Sequence, residues 1–354
     1  MVNGKFGFAV IGYGGMGGWH INQMLEKFSD RAEVLGIYDI SPDAAERARK
    51  KGIHAYSSRE ELLADERIDL VTIATPNDVH KEIAIDALNA GKNVISEKPV
   101  TLSVPDYEEM VAAAKKNNRL FTTHQNRRWD EDYLIVRKLI DDNTLGRVFR
   151  IEHRVQGSRG VPGDWRNQKE HGGGMVLDWG IHLLDQVLQM TYPHKLVSVY
   201  NELTYITNEN CDDGFRATLV FDDGLSFYVE VTTSNFIELP LWYVLGENGS
   251  AVINNWNYDG EIVKVSDWEN RDAVPIQAGA GITKTMAPRT DETIKRYPLP
   301  RLNADWSEYY ANIFDTLEGK ATQIVTHDQQ RRLLKLVDAL FLSAKENRVV
   351  EFEK

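Results

Sequence analysis

The sequence predicts an α/β protein in two parts: a doubly wound parallel sheet, then an α+β domain with an open-faced, mainly antiparallel sheet. Three observations carry this. A glycine-rich turn, Gly12-Tyr13-Gly14-Gly15-Met16-Gly17, joins a short apolar run to a helical segment. Apolar runs then alternate with capped helical segments to about residue 123, as in a parallel sheet covered on both faces. Beyond that point alternating strands and hairpin turns take over. The expected domains are therefore 1–123 and 124–354, with room for the C-terminal helix to pack back on the first.

The elements are justified in order. Residues 6–11 are a buried strand, and 34–38 a second that ends in Asp39. Ser41 caps a helix with Pro42 at its first position and Gly52 just past its end. Residues 68–74 form the next strand. Residues 77–90 have helical apolar spacing closed by Gly91, and 93–96 read as the fifth strand. Ser103 caps a helix to about Asn118, and 120–123 close the sheet. The second part begins with a helix over 130–142 and a longer one near 173–190. Strands follow at 196–207, 215–221 and 225–233, with Asp222-Asp223-Gly224 as a hairpin turn, and Gly246-Glu247-Asn248-Gly249 turns another hairpin. Residues 266–301 have little periodicity and read as a long excursion over a site or partner. Residues 305–317 and 327–345 are helical.

The first strand, turn and helix supply the context that a dinucleotide fingerprint requires. Gly12 permits the tight turn, Gly14 lets the backbone approach a pyrophosphate, and Gly17 lets the helix pack on the strand. With Gly15 and Met16, these residues place phosphates at a helix N-terminus. Asp39 stands 22 residues after Gly17, where an acid binds ribose hydroxyls and repels a 2′-phosphate. Ile40 and Ser41 offer no arginine for such a phosphate, so NAD is expected over NADP. A loop glycine run with a strand-end charge explains each piece singly, but not the ordered set. In open sheets ligands bind at carboxyl strand ends, and Gly12, Asp39, Thr75-Pro76-Asn77 and Glu97-Lys98-Pro99 all lie there.

Composition excludes more than it identifies. The 354 residues are 42% apolar, enough for two cores, and a net charge of −12 disfavours nucleic acid and anionic membrane. The lone Cys211 cannot form an intramolecular disulfide, and neither a membrane span nor a leader stands out. A cytoplasmic location is expected.

The 171–182 stretch, His171-Gly172-Gly173-Gly174-Met175-Val176-Leu177-Asp178-Trp179-Gly180-Ile181-His182, is the densest polar cluster of the second part. Asp178 and His182 are four apart and share a helix face. A satisfied core histidine near a capped helix end is the plainer alternative. A metal pair is disfavoured because no further Cys or His stands at ligand spacing, so no metal is expected.

Taken together, the chain resembles the Gfo/Idh/MocA oxidoreductases, the glucose–fructose oxidoreductase and inositol dehydrogenase group, along essentially its whole length. The matching pieces are the Gly12–Gly17 loop, Thr75-Pro76-Asn77 with His80, Ala90-Gly91-Lys92 leading to Glu97-Lys98-Pro99, Gln125-Asn126-Arg127-Arg128-Trp129, and the triple glycine with Asp178, Gly180 and His182. The resemblance implies an N-terminal Rossmann domain and hydride exchange at a sugar or cyclitol carbinol carbon. It implies that Lys98, Asp178 and His182 form the catalytic group, that Thr75, Pro76, Asn77, His80, Glu97 and Lys98 belong to the cofactor site, and that a cis bond precedes Pro99. In chemical terms, His182 suits a proton acceptor, with Lys98 as proton-sharing partner and Asp178 holding an adjacent hydroxyl. The labels of Lys98 and His182 are interchangeable at this stage.

Substrate contacts are expected from Lys98, Arg127, Trp165, Arg166, Asp178 and His182. Trp129, Trp179 and Trp256 are further rings that suit the C–H faces of pyranoses or inositols, although tryptophans are more often core. The Arg127 stretch looks like the scyllo-inositol branch, while the Gly12–His20 loop departs from it. Free sugars, cyclitols and glycosides stay open as substrates. Besides a net dehydrogenase, a redox-neutral NAD-dependent glycoside-cleaving enzyme and a non-catalytic NAD-binding sensor are the other classes. An uncovered sheet face points to a homodimer or homotetramer.

Overall fold

The computed structural model describes residues 2–271 and 274–353. A five-stranded parallel sheet comes first: β1 (Phe6–Ile11), β2 (Ala32–Tyr38), β3 (Leu70–Ile73), β4 (Asn93–Ser96) and β5 (Phe121–Thr123), in the spatial order β2-β1-β3-β4-β5. The helices are α1 (Gly15–Lys27), α2 (Pro42–Lys50), α3 (Arg59–Ala64), α4 (His80–Asn89) and α5 (Val104–Asn117). Caps locate two of them as expected: Ser41 accepts from Ala44 N–H, and Ser103 from Asp106 N–H. The 93–96 strand is the fourth, not the fifth. After α2 the chain adds only a single bridge, Ala55 to Ile37, too short to form a strand of its own.

Period-two alternation explains the double covering. Phe8 and Val10 face one layer with Ile21, Met24 and Ala44, while Ala9 and Ile11 face the other with Ile83, Leu88 and Met110. Strand order reverses around β1, because β2 lies on one side of it and β3 on the other. The crevice at their carboxyl ends is therefore the ligand position of this architecture.

The second part comprises α6 (Glu131–Asp141), β6 (Val148–Gln156), α7 (Ile181–Met190), β7 (Leu196–Thr204), β8 (Gly214–Phe221), β9 (Ser226–Thr232), β10 (Trp242–Gly246), β11 (Gly249–Ile253), β12 (Gly260–Val265), β13 (Ile276–Ala278), β14 (Gly281–Thr283), β15 (Ile294–Pro298), α8 (Ser307–Leu317), α9 (His327–Glu346) and β16 (Val350–Glu351). Nine strands form one sheet, β15-β12-β11-β10-β6-β9-β8-β7-β16, antiparallel except for the β6·β9 pair. Both expected hairpins are present, β8–β9 and β10–β11. Trp242, Val244, Phe227 and Val229 pack beneath α6, α7 and α9. The opposite face carries a cross-strand row of Tyr228, Glu152, Tyr243 and Val252.

Two expectations need correction. The 266–301 stretch is not wholly irregular: β13 and β14 pair with each other and β15 extends the large sheet, while positions 272 and 273 lie outside the described residues. The short strands are too exposed to carry the alternation that marks a buried face. The segment near 173–190 is not one α-helix, since Val176–Gly180 forms a π-helical turn ahead of α7. Tyr309, Tyr310, Ile313 and Phe314 of α8 pack in the first sheet's core, although α8 lies beyond residue 300 in sequence. No helix of the described residues is long and apolar enough to cross a membrane.

Candidate active site

A cleft of about 950 Å³ opens at the carboxyl ends of β1, β3 and β4. Gly12, at φ +92°, lies so close to β3 that a Cβ would stand 2.5 Å from the Ala74 carbonyl oxygen, and at Gly17 a Cβ would meet Gly12 O at 1.9 Å. These two positions must be glycine for the turn to close. Gly14 and Gly15 differ: a Cβ on either would meet nothing within 4 Å. Both line the cleft, so the space in front of the N-terminus of α1 is a cradle open to phosphate oxygens. Met16, Thr75, Pro76, Asn77, Glu97 and Lys98 line it further, and the buried Thr75 hydroxyl has no hydrogen-bond partner among the described residues. Asp39 accepts from Tyr13 N–H at 2.6 Å and Ser41 N–H at 2.7 Å. A carboxylate has further lone pairs for a ribose. The residues present fit a dinucleotide.

The two halves of the chain meet at Lys98. Its Nζ donates to the Asp178 carbonyl at 2.8 Å and to Asp178 Oδ1 at 3.1 Å, and the Lys98–Pro99 bond is cis. Arg166 Nε stands 3.6 Å from the same Oδ1. Burial would raise the Asp178 carboxyl, but the Lys98 and Arg166 charges outweigh it and hold it below its usual range. His182 lines the same cleft with its Nδ1 unpartnered. Burial, then the charges of Lys98 and Arg127, push its imidazole well below 6.5, so it is neutral at neutral pH. The π-turn carries Asp178, and such turns are frequent where a side chain must be re-aimed.

Arg127, Trp165 and Arg166 also line the cleft, with the Arg127 guanidinium 4.3 Å over the Trp179 ring. Asn77 Nδ2 donates to Gly172 O at 2.9 Å, tying the two halves beside the site. Two expectations are revised. His80 is fully buried, its ring nitrogens 3.0 Å from the Thr75 and Pro99 carbonyls, so it braces the cofactor loops from behind the cleft. Trp129 is core: it is buried and donates to Glu308.

One buried cluster was not read from the sequence. Glu97 Oε1 accepts from His20 Nε2 and His124 Nδ1, both at 2.9 Å, and its Oε2 accepts from Lys98 N–H at 3.1 Å. His20 Nδ1 in turn pairs with the Tyr310 hydroxyl. Burial would raise the Glu97 carboxyl, but the His124 and His20 rings outweigh it and keep it well below the ordinary carboxylate range. The three ligand atoms lie within 4.8 Å of one another, yet hydrogen bonds to one shared oxygen already account for that closeness. The signal for the cluster was a glutamate in a buried strand end, which demands a partner.

Comparisons with known proteins agree with this fold. The family model described as "Oxidoreductase family, NAD-binding Rossmann fold" matches residues 6–125, and that of the GFO/IDH/MocA C-terminal domain matches 133–252. The crystal structure of an NAD-binding protein from Listeria innocua is 44% identical with a TM-score of 0.94, covering 98% of this chain and 99% of that one. A scyllo-inositol 2-dehydrogenase (NADP(+)) of Bacillus subtilis is 25% identical over 97% of this chain and 95% of its own length. A 1,5-anhydro-D-fructose reductase of Ensifer adhaerens is 29% identical over 63% of this chain and 68% of its own.

Proposed function

The chain belongs to the GFO/IDH/MocA oxidoreductase family, and from that premise we propose an NAD-dependent dehydrogenase acting on a secondary hydroxyl or keto carbon of a sugar, cyclitol or glycoside in the cytoplasm. The observation that carries the reading is the meeting of Lys98 from one half with Asp178 and His182 from the other, in the cleft that holds the Gly14–Gly15 cradle. In this reading residues 1–123 hold the cofactor and 124–354 the substrate, with α8 docked back on the first sheet.

Bound in the cradle, a nicotinamide dinucleotide supplies the hydride acceptor, or the donor in the reverse direction. As the carbinol C–H bond breaks and C=O forms, the hydroxyl proton passes to the neutral His182 ring. Lys98, fixed by Asp178, steadies the developing negative charge on that oxygen and shares its proton. Asp178 holds a neighbouring hydroxyl and so orients the ring.

Asp39 favours NAD, because a 2′-phosphate would face its carboxylate. Arg59 lines the cleft but is paired with Glu82 at 2.8 Å and Asp86 at 3.1 Å, so it is not a free phosphate ligand. This preference differs from the NADP(+) in the Bacillus relative's name. Absorbance of the nicotinamide, followed while hexoses, inositols and glycosides are added with NAD⁺ or NADP⁺, tests both points. Accumulating NADH, faster than NADPH, is expected. No signal across the panel rejects the activity, and faster NADPH rejects the coenzyme preference. The Tyr228–Val252 row on the helix-free side of the sheet is assigned to a homodimer or homotetramer contact. A monomeric mass in light scattering at micromolar concentration contradicts that assignment.

A further inference from the structure

A second chamber of about 580 Å³ opens from the catalytic cleft, with Arg127, Asp178 and Trp179 forming the shared wall. That volume is within the range of a complete small-ligand site. Lys98 and His182 line the cleft but not this chamber, so whatever fills it is not the reacting group. It lies at the carboxyl ends of β6 and β9, where Gln156-Gly157 and Thr232-Thr233 form the floor.

Its walls have the character of a carbohydrate site. The Trp179, Trp256 and Trp306 indoles and the Tyr258 ring all face it, with Trp179 and Trp256 centroids 6.0 Å apart. Tyr258 occupies the left-handed region, φ +60°, an uncommon conformation for a bulky residue that is retained where the surroundings require it. Among these rings Asp130 is held rigid, accepting from Arg127 at 2.9 Å and from Trp306 Nε1 at 3.0 Å. Two wall residues each carry a buried polar atom, Asp132 Oδ1 and Gln156 Nε2, without a hydrogen-bond partner among the described residues. Three carboxylates, Asp130, Asp132 and Asp178, against the single Arg127 disfavour a phosphate or carboxylate substituent.

We propose that this chamber is a second sugar subsite, and that the substrate is an uncharged glycoside whose reacting ring lies at Lys98 and His182 while its attached ring packs against the edge of the Trp256–Trp179 pair. The proposal rests on the oxidoreductase reading for the identity of the reacting ring, but not for the chamber itself.

The test uses full-length protein and α- and β-linked glucosyl and galactosyl disaccharides, with the parent hexoses, inositols and hexose phosphates for comparison. Two measurements are made on wild type and on Trp256→Ala, whose side chain is half-exposed and whose removal leaves the core intact: kcat/KM with NAD⁺, and binding by calorimetry. A disaccharide is expected to exceed its parent ring in kcat/KM, and Trp256→Ala to reduce that ratio roughly 10- to 100-fold. Disaccharide binding weakened by Trp256→Ala supports the subsite even if nothing reduces the nicotinamide, a result that removes only the oxidoreductase reading. Free rings turned over as well as every disaccharide, with no disaccharide binding sensitive to Trp256, overturns the subsite and leaves that reading standing. A preference for hexose phosphates overturns the uncharged ligand.

Discussion

Lys98→Ala is expected to lower turnover by roughly 10² to 10⁴ with little change in dinucleotide affinity, and His182→Ala to fall in the same range. Lys98 Nζ donates twice to Asp178, and both side chains are largely buried, at 17% and 18% exposure. Removing the ammonium therefore takes away the cation that meets the developing oxyanion. It also leaves the Asp178 carboxylate with Arg166 alone, at 3.6 Å. The cradle at Gly14 and Gly15 is untouched by either change, so binding of NADH, followed by fluorescence, separates a chemical defect from a failed fold. Burial keeps His182 neutral well below 6.5, and the acid limb of kcat/KM is accordingly expected below that value. Near-normal turnover in both variants rejects the assignment.

How much of this was legible beforehand depended on whether the information was local. The Gly12–Gly17 turn, Asp39, the Ser41 and Ser103 caps and the Glu97-Lys98-Pro99 strand end are encoded within a few residues, and the structure places them as the sequence indicated. Asp178 and His182 reached the cleft even though the helix between them was misjudged, because a π-turn has no periodicity signal of its own in so short a stretch. What was missed is non-local. His20, His124 and Tyr310 come from α1, the end of β5 and α8, and only folding brings them to Glu97. The place of His80 behind the cleft was hidden for the related reason that its ring nitrogens face backbone carbonyls, which leave no mark in side-chain pattern. The second chamber combines residues from Arg127 to Trp306, and no spacing announces it.

The buried histidines lead to a second large effect: folding stability is expected to fall steeply once the pH drops below about 6.5. Burial depresses His153 well below its ordinary value, with Arg127 and Arg154 adding to it, and burial with Lys98 and Arg127 does the same to His182. Burial also lowers His20, against its bond to Glu97. The sign follows from where the proton binds. Below 6.5 the unfolded chain takes up protons that the folded chain refuses, so the stabilisation is complete above 6.5 and is lost progressively toward the depressed folded values. Each proton taken up by the unfolded chain alone is worth at most about 1.4 kcal/mol per pH unit, a limit approached only well below 6.5, so His153, His182 and His20 together steepen the fall as the pH drops. Against a typical total of about 5–15 kcal/mol, losses of that size are a sizeable fraction of the stability. Glu97 acts in the same direction but lower, since its depressed carboxyl contributes above the ordinary carboxylate range and is lost only as the pH falls through it. Urea melts at pH 7.0, 6.0 and 5.5 measure the slope, and His153→Phe identifies its source. His153 stacks on Trp242 at 3.6 Å in the core, with its Nδ1 unpartnered, and lines neither cavity. An apolar ring there keeps the stack and removes one proton from the difference, so the slope should fall, by less than about 1.4 kcal/mol per pH unit across this range. A stability that is flat from pH 7.0 to 5.5, or a slope unchanged in His153→Phe, shows that these imidazoles accept protons in the folded state.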